Sequence, residues 1–181
     1  PAPSRVSRMR PGAIGTSRAP WSALLEVENH PNTSTTTWAV AEAFWVKGPE
    51  GRDVQCWLML PDGKGPHPLV LEIHGGPYAQ YGFRFSIKYQ LLAAAGYAVL
   101  FTNPTGSTGY GEEFANALHD RFPGPDHADM MVAVDTAAAR PDIDADNLFI
   151  TGVSGGGVLS LWAVTHTHRF RAAVSIKPVT D

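Results

Sequence analysis

Strands and helices alternate along the chain from about residue 68, and this alternation limits the fold more than any other feature of the sequence. Short apolar runs rich in β-branched residues indicate strands, and the segments between them have helical composition or helical spacing of apolar residues. Predicted strands cover 68–73, 97–102, 147–151 and 172–176; predicted helices cover 86–95, 112–119, 126–140 and 156–165. This order predicts an α/β protein with a mostly parallel sheet and helices on both faces. Ligands of such sheets bind where strands end and helices begin.

The first 67 residues follow a different pattern. A hairpin is predicted from strands at 44–46 and 54–60, joined by the Gly/Pro turn at 48–51. Residues 1 to about 40 are rich in Pro, Ser, Thr and Arg, and short strands over 21–27 and 38–41 would not form a core. We therefore expect a linker or domain remnant over 1–40 and the α/β domain over 41–181.

Composition excludes several classes of protein. The chain has 181 residues and a net charge of −3, without a basic run that would attract nucleic acid. No apolar stretch approaches the ~20 residues that span a bilayer. The one cysteine, Cys56, lies in an apolar run and is expected to be a buried thiol. The pattern calls for no metal or cofactor. With no signal peptide visible, a cytoplasmic location is favoured; a periplasmic or secreted one stays open because the chain starts with Pro1.

The turn after the predicted strand at 147–151 carries a candidate nucleophile. Gly152, Ser154 and Gly156 form the pattern G-x-S-x-G between a strand and a helix. In α/β-hydrolases this pattern marks a sharp elbow that lifts the serine hydroxyl above the sheet, and the glycines are needed where strand and helix crowd together. The alternatives are a phosphate-binding loop, disfavoured by the glycine spacing, and a turn that serves only packing.

Two further glycine turns follow predicted strands. The first is His74-Gly75-Gly76-Pro77, at the place where such hydrolases supply one amide of the oxyanion hole. We predict that the N–H groups of Gly76 and Gly155 form this hole, and that His74 orients its loop through hydrogen bonds. The second turn spans 103–111 and by itself indicates only a loop with demanding backbone angles.

Taken in order, HGGP (74–77), NPTGSTGYG (103–111) and GVSGGG (152–157) resemble the catalytic domain of the prolyl oligopeptidase family, especially its bacterial acylaminoacyl-peptidase and dipeptidyl-peptidase-like members. The runs at 123–129 and 167–174 also match. The resemblance implies an α/β-hydrolase fold and a serine peptidase that cleaves peptides near their N-termini. It also implies a preceding β-propeller, whose last remnant would be residues 1–40.

The chain departs from the family's pattern at three points. Thr105 stands where the family usually has Arg, and Gly155 where many members have Tyr. The family's acid and histidine follow later strands, beyond the last residue of this sequence. After Ser154 the chain offers as acid or base only His166, His168 and Asp181, none of them at the expected place. We therefore predict a fold truncated before its last strands, inactive alone, with an open sheet edge suited to self-association.

Three functions are consistent with these residues. The leading one is a serine peptidase that hydrolyses short peptides through a Ser154 acyl-enzyme. A carboxylesterase of the same fold is the first alternative, because fold does not fix function. A non-catalytic α/β-hydrolase-like domain is the second. The partner predicted for the leading function is a peptide substrate, with no nucleic acid and no membrane.

Overall fold

A six-stranded mixed sheet organises residues 38–179, which are the residues that this computed structural model describes. The strands are β1 (Ala41–Lys47), β2 (Asp53–Met59), β3 (His67–Ile73), β4 (Ala98–Asn103), β5 (Ile143–Val153) and β6 (Phe170–Ile176). Their order across the sheet is β1-β2-β4-β3-β5-β6. The four strands β4, β3, β5 and β6 are parallel, whereas β1 pairs antiparallel with β2, and β2 antiparallel with β4. The predicted mostly parallel α/β sheet is confirmed.

Helices cover both faces of the sheet, as the alternation predicted. They are α1 (Ile87–Ala94), α2 (Glu112–Asn116), α3 (Pro125–Ala138) and α4 (Gly155–His166). On one face, Met130 and Val134 of α3 and Leu159 of α4 belong to a buried cluster that also contains Leu71 and Ile150. On the other face, α1 joins a second cluster; its members are Trp57, Met59, Tyr89, Ala93, Val99 and Phe101.

The central strands β3 and β4 are apolar along most of their length because helices exclude water from both of their sides. In β4, all six residues from Ala98 to Asn103 are buried. In β3, Glu72 is the one charged residue at a buried position, 5% exposed, and it pairs with Lys88 of α1 at 2.7 Å. Burial raises the pKa of the Glu72 carboxyl, and the Lys88 ammonium opposes that rise.

The N-terminal part of the sheet differs from the prediction in its boundaries. A strand was expected over 38–41, but β1 begins at Ala41 and residues 38–40 have no regular structure. The reason is a side chain that takes the place of a partner strand. Gln90 of α1 accepts from the Ala39 N–H and donates to the Ala39 carbonyl, both at 2.9 Å. The expected strand at 21–27 lies outside the described residues, and the linker or propeller remnant over 1–40 stays a prediction.

Two other elements, α2 and β5, differ from their expected bounds by three residues or more. Helix α2 was expected to reach residue 119 but ends at Asn116, because tight turns follow it: His119 N–H bonds to the Asn116 carbonyl, and Asp120 has a φ of 57°. Strand β5 was expected from residue 147 but begins at Ile143. It pairs with His67 before an irregularity at Pro68/Leu69 shifts the register.

One expectation about solvent exposure can be compared with the structure. Cys56 is fully buried, as predicted, and burial raises the pKa of its thiol to about 12. Within residues 38–179, no helix combines the length and apolar character that crossing a bilayer requires.

Candidate active site

Ser154 occupies a sharp turn between β5, which ends at Val153, and α4, which begins at Gly155. Its backbone has φ 58° and ψ −118°, a combination that non-glycine residues rarely adopt and that is retained mainly at functional sites. Two hydrogen bonds hold this conformation: the Ser154 N–H donates to Ile176 of β6 at 3.0 Å, and its carbonyl accepts from Val158 at 3.0 Å. The side chain is half-buried, and its hydroxyl forms no hydrogen bond within residues 38–179.

The glycines around Ser154 are required by close backbone contacts. A methyl group on Gly156 would lie 2.7 Å from the carbonyl oxygen of His74 and 2.9 Å from the carbonyl carbon of Ile73. A methyl group on Gly152 would lie 2.8 Å from the Cα of Gly156. Real side chains do not approach backbone so closely, so strand, elbow and helix can meet only without side chains. The sequence predicted the elbow on the ground that strand and helix crowd together at these glycines.

The turn at 74–77 lies directly against the elbow. A methyl group on Gly75 would be 3.5 Å from the Cβ of Ser154. A methyl group on Gly155 would overlap the carbonyl oxygen of Gly76 and lie 3.0 Å from its nitrogen. Within residues 38–179, neither the Gly76 nor the Gly155 N–H donates a hydrogen bond. The structure therefore brings together the three residues that the sequence singled out, at the N-terminal end of α4, where the helix dipole favours negative charge.

His74 links the 74–77 turn to the 103–111 turn. Its Nδ1 lies 2.6 Å from the Gly75 carbonyl oxygen and its Nε2 lies 3.0 Å from the Ser107 hydroxyl. Since a carbonyl oxygen can only accept, the neutral ring carries its proton on Nδ1. The Ser107 hydroxyl also lies 2.7 Å from the Pro104 carbonyl oxygen, so its single proton is shared between that oxygen and Nε2. Burial lowers the pKa of the imidazole and favours this neutral form. Both ring nitrogens are occupied by loop contacts, which fits an orienting role.

Thr105 contacts a buried carboxylate. Its N–H and its hydroxyl both donate to Oδ2 of Asp129 on α3, at 2.9 and 2.6 Å. Thr105 and Asp129 are 1% and 2% exposed. Burial raises the pKa of Asp129, and its bonds to Thr105 oppose the rise. Where the family usually has an arginine, this chain therefore holds the loop with two hydrogen bonds to an acid.

The two histidines after Ser154 lie at or beyond the far end of α4. His166 is twelve residues from Ser154, which corresponds to roughly 18 Å along a helix. It is exposed, stacks on Trp162 with ring centres 3.9 Å apart, and its Nδ1 lies 2.8 Å from the Trp162 carbonyl oxygen. His168 is also exposed, at the start of the next segment. Neither histidine can take a proton from Ser154, and Asp181 lies outside the described residues.

The sequence reading gave no role to Asp126, which lies behind the 74–77 turn. It is 2% exposed; Oδ1 accepts from the Gly124 N–H at 2.7 Å, whereas Oδ2 is buried without a partner within residues 38–179. The residue borders a hollow of about 10 Å³ that Gly76 and Thr105 also line. Burial raises the pKa of the Asp126 carboxyl to about 6. A charged residue just inside a helix N-terminus was visible in the sequence, but its burial was not.

This raised pKa predicts how stability depends on pH. The carboxyl has an ordinary pKa of 3.8 when unfolded and about 6 when folded, so the native state holds the proton more tightly. Stability from this group is therefore full below about pH 4 and falls as the pH rises through about 6. We expect Asp126→Asn to gain ~1–3 kcal/mol in free energy of unfolding relative to wild type between about pH 4 and pH 7. Urea unfolding at both pH values measures it; a pH-independent difference would contradict it.

An open, mostly parallel sheet with a strained serine at the turn from β5 to α4 is the arrangement of an α/β-hydrolase. The profile of the prolyl oligopeptidase family matches residues 83–181. The chain belongs to this family.

Similar proteins agree with that assignment. The chain is 43% identical over 149 residues to the uncharacterized peptidase YuxL of Bacillus subtilis, covering 80% of this chain and 23% of that protein. It is 38% identical over 127 residues to dipeptidyl aminopeptidase BIII of Pseudoxanthomonas mexicana, covering 65% and 18%. The solved acylaminoacyl peptidase of Pyrococcus horikoshii superposes with a TM-score of 0.76 at 30% identity, covering 80% and 24%. The chain thus spans no more than about a quarter of the length of these relatives.

Proposed function

We propose that this chain is the nucleophile-bearing part of a serine peptidase that releases short N-terminal units from peptides. One observation carries the proposal: Ser154 lies on a strained elbow beside the amides of Gly76 and Gly155, neither of which has a hydrogen-bond acceptor within residues 38–179. A serine hydroxyl next to two N–H donors is the constellation that acyl transfer requires. The names of its relatives, a dipeptidyl aminopeptidase and an acylaminoacyl peptidase, favour peptides as substrates.

The chemistry follows from these groups. The Ser154 oxygen attacks the substrate carbonyl carbon while a base takes the hydroxyl proton, and the carbonyl oxygen becomes negative. The N–H groups of Gly76 and Gly155 would donate to that oxygen, because neither donates to another group within residues 38–179. The amine then leaves with the proton, and water hydrolyses the acyl-serine. The amides would stabilise the transition state, and removal of one such donor lowers kcat by a factor of about 10²–10³.

The base and its acid partner would come from parts of the polypeptide outside residues 38–179. In α/β-hydrolases the chain order is serine, then acid, then histidine. The described residues after Ser154 provide only two histidines at the distant end of α4. We therefore expect residues 1–181 alone to show negligible peptide hydrolysis.

Substrate comparison on the full-length polypeptide tests the proposed activity. We expect dipeptidyl and acylaminoacyl amides to be hydrolysed, and a fluorophosphonate probe to label Ser154 and stop the reaction. Hydrolysis of short acyl esters without hydrolysis of these amides would instead identify a carboxylesterase. Absence of both labelling and hydrolysis would identify a non-catalytic domain.

A further inference from the structure

Of the three glycine turns that follow predicted parallel strands, the 103–111 turn is the one that the proposed chemistry does not use, and its first half is buried. Residues 103–107 are all buried, with Asn103 at 1% and Ser107 at 0% exposure. Loops normally run over the surface because their backbone polar groups need water. A loop that is buried must satisfy these groups with protein partners.

The Thr105 N–H bonds to Asp129, the Gly106 N–H to Phe114 and the Ser107 N–H to Pro104 within the turn. Two further backbone bonds join the turn to the segment that carries Gly76. The Tyr78 N–H donates to the Gly106 carbonyl at 3.0 Å, and the Thr108 N–H donates to the Ala79 carbonyl at 3.1 Å. These bonds begin two residues after Gly76 and run like a short ladder. Together with the His74–Ser107 contact, they hold Gly76 from both sides.

Asn103 closes this ladder through its side chain. Its Oδ1 accepts from the Tyr81 N–H at 2.7 Å, and its Nδ2 donates to the Tyr81 carbonyl at 2.9 Å. The Nδ2 also donates to the Tyr110 hydroxyl at 2.6 Å, which in turn donates to Oε1 of Gln55 at 2.6 Å. Gln55 and Asn103 face each other in the β2–β4 pairing, so the network is anchored in the sheet.

We infer that Asn103 is a positioning residue for the oxyanion hole: through Tyr81 it fixes the segment that presents the Gly76 N–H to the substrate oxygen. The inference rests on the proposed function. The carboxamide both accepts from and donates to the same backbone residue, whereas an ionised carboxylate lacks the donor. A side chain of the same shape without that donor would set a negative oxygen against the Tyr81 carbonyl and push the segment away.

Kinetics of Asn103→Asp in the full-length enzyme test this role. Displacement of one oxyanion donor by a fraction of an ångström predicts a fall in kcat of about 10- to 100-fold with KM nearly unchanged. A peptidyl trifluoromethyl ketone, whose adduct places a negative oxygen in the hole, should lose affinity by the same factor. Rates are expressed per site labelled by fluorophosphonate, so unfolded protein does not count.

A matched control and a second variant keep the test decisive. Asn147→Asp makes the same chemical change at a side chain whose Nδ2 bonds to Asp144 near the opposite end of β5; its kcat should stay within about twofold of wild type. If Asn103→Asp does not fold, Tyr110→Phe removes the hydroxyl behind Asn103 and should show the same kcat-specific loss at smaller size.

Two results overturn the inference. One is that the wild type is active and the folded Asn103→Asp and Tyr110→Phe variants have the same kcat per labelled site as the wild type. The other is a loss of kcat while ketone affinity stays at the wild-type value. A wild type that neither reacts with fluorophosphonate nor hydrolyses peptides refutes the proposed function, and the positioning role falls with it.

Discussion

Ser154→Ala in the full-length enzyme should lower kcat/KM for peptide substrates by a factor on the order of 10⁴–10⁶. The reason is that no other group can form the acyl-enzyme from the same position. The elbow, with its φ of 58°, lifts one side chain beside the amides of Gly76 and Gly155. Substrate binding should persist, because the substitution removes only the hydroxyl oxygen and leaves the surrounding backbone in place.

Ser160→Ala is the matched control for this prediction. Ser160 lies on the same helix, is fully buried, and its hydroxyl donates to the Gly156 carbonyl at 2.8 Å. Loss of that bond should lower the free energy of unfolding by about 1 kcal/mol and leave kcat/KM within roughly threefold of the wild-type value. Hydrolysis that survives in purified Ser154→Ala, or that is lost equally in Ser160→Ala, would refute the assignment of the nucleophile.

Gly156→Ala should damage both stability and catalysis. The added methyl group would lie 2.7 Å from the His74 carbonyl oxygen, so α4 and the 74–77 turn must separate. Overpacking of this kind costs about 1–3 kcal/mol. Separation also moves the Gly76 amide away from Ser154, and a shift of about 1 Å costs on the order of 10² in rate. Urea unfolding and kcat on the same preparation measure both effects.

Gly82→Ala provides the comparison. Gly82 is exposed, and a methyl group there would meet nothing within 4 Å. We expect wild-type stability and activity from this variant. If Gly156→Ala has the stability and activity of Gly82→Ala, then α4 and the 74–77 turn do not approach each other as closely as described.

The sequence predicted the strand–turn–helix around Ser154 because its determinants are local. The apolar run, the serine and the helix start lie within one short segment, and Gly152 relieves crowding against Gly156 four positions later. The same holds for the order of the other parallel strands and the helices between them. The contact of Gly156 with the backbone of Ile73 and His74 joins distant segments and was not predicted. Family resemblance then supplied the peptidase assignment that local pattern alone could not give.

Side-chain contacts between distant segments could not be predicted in this way. Gln90 bonds to the backbone of Ala39, 51 positions earlier, where a strand was expected over 38–41. Asn103 bonds to Tyr81 across 22 positions, and Asp126 is buried behind the 74–77 turn. Such contacts depend on where the whole sheet places each loop. By itself, the sequence of the 103–111 turn indicates glycines that permit unusual backbone angles, and not the partners of Asn103.

The most direct test is a crystal structure of the full-length enzyme after reaction with a fluorophosphonate. The phosphorus should be bonded to Oγ of Ser154, with one phosphoryl oxygen about 2.7–3.1 Å from the backbone nitrogens of both Gly76 and Gly155. Attachment to another residue, or a phosphoryl oxygen that contacts neither amide, would contradict the account.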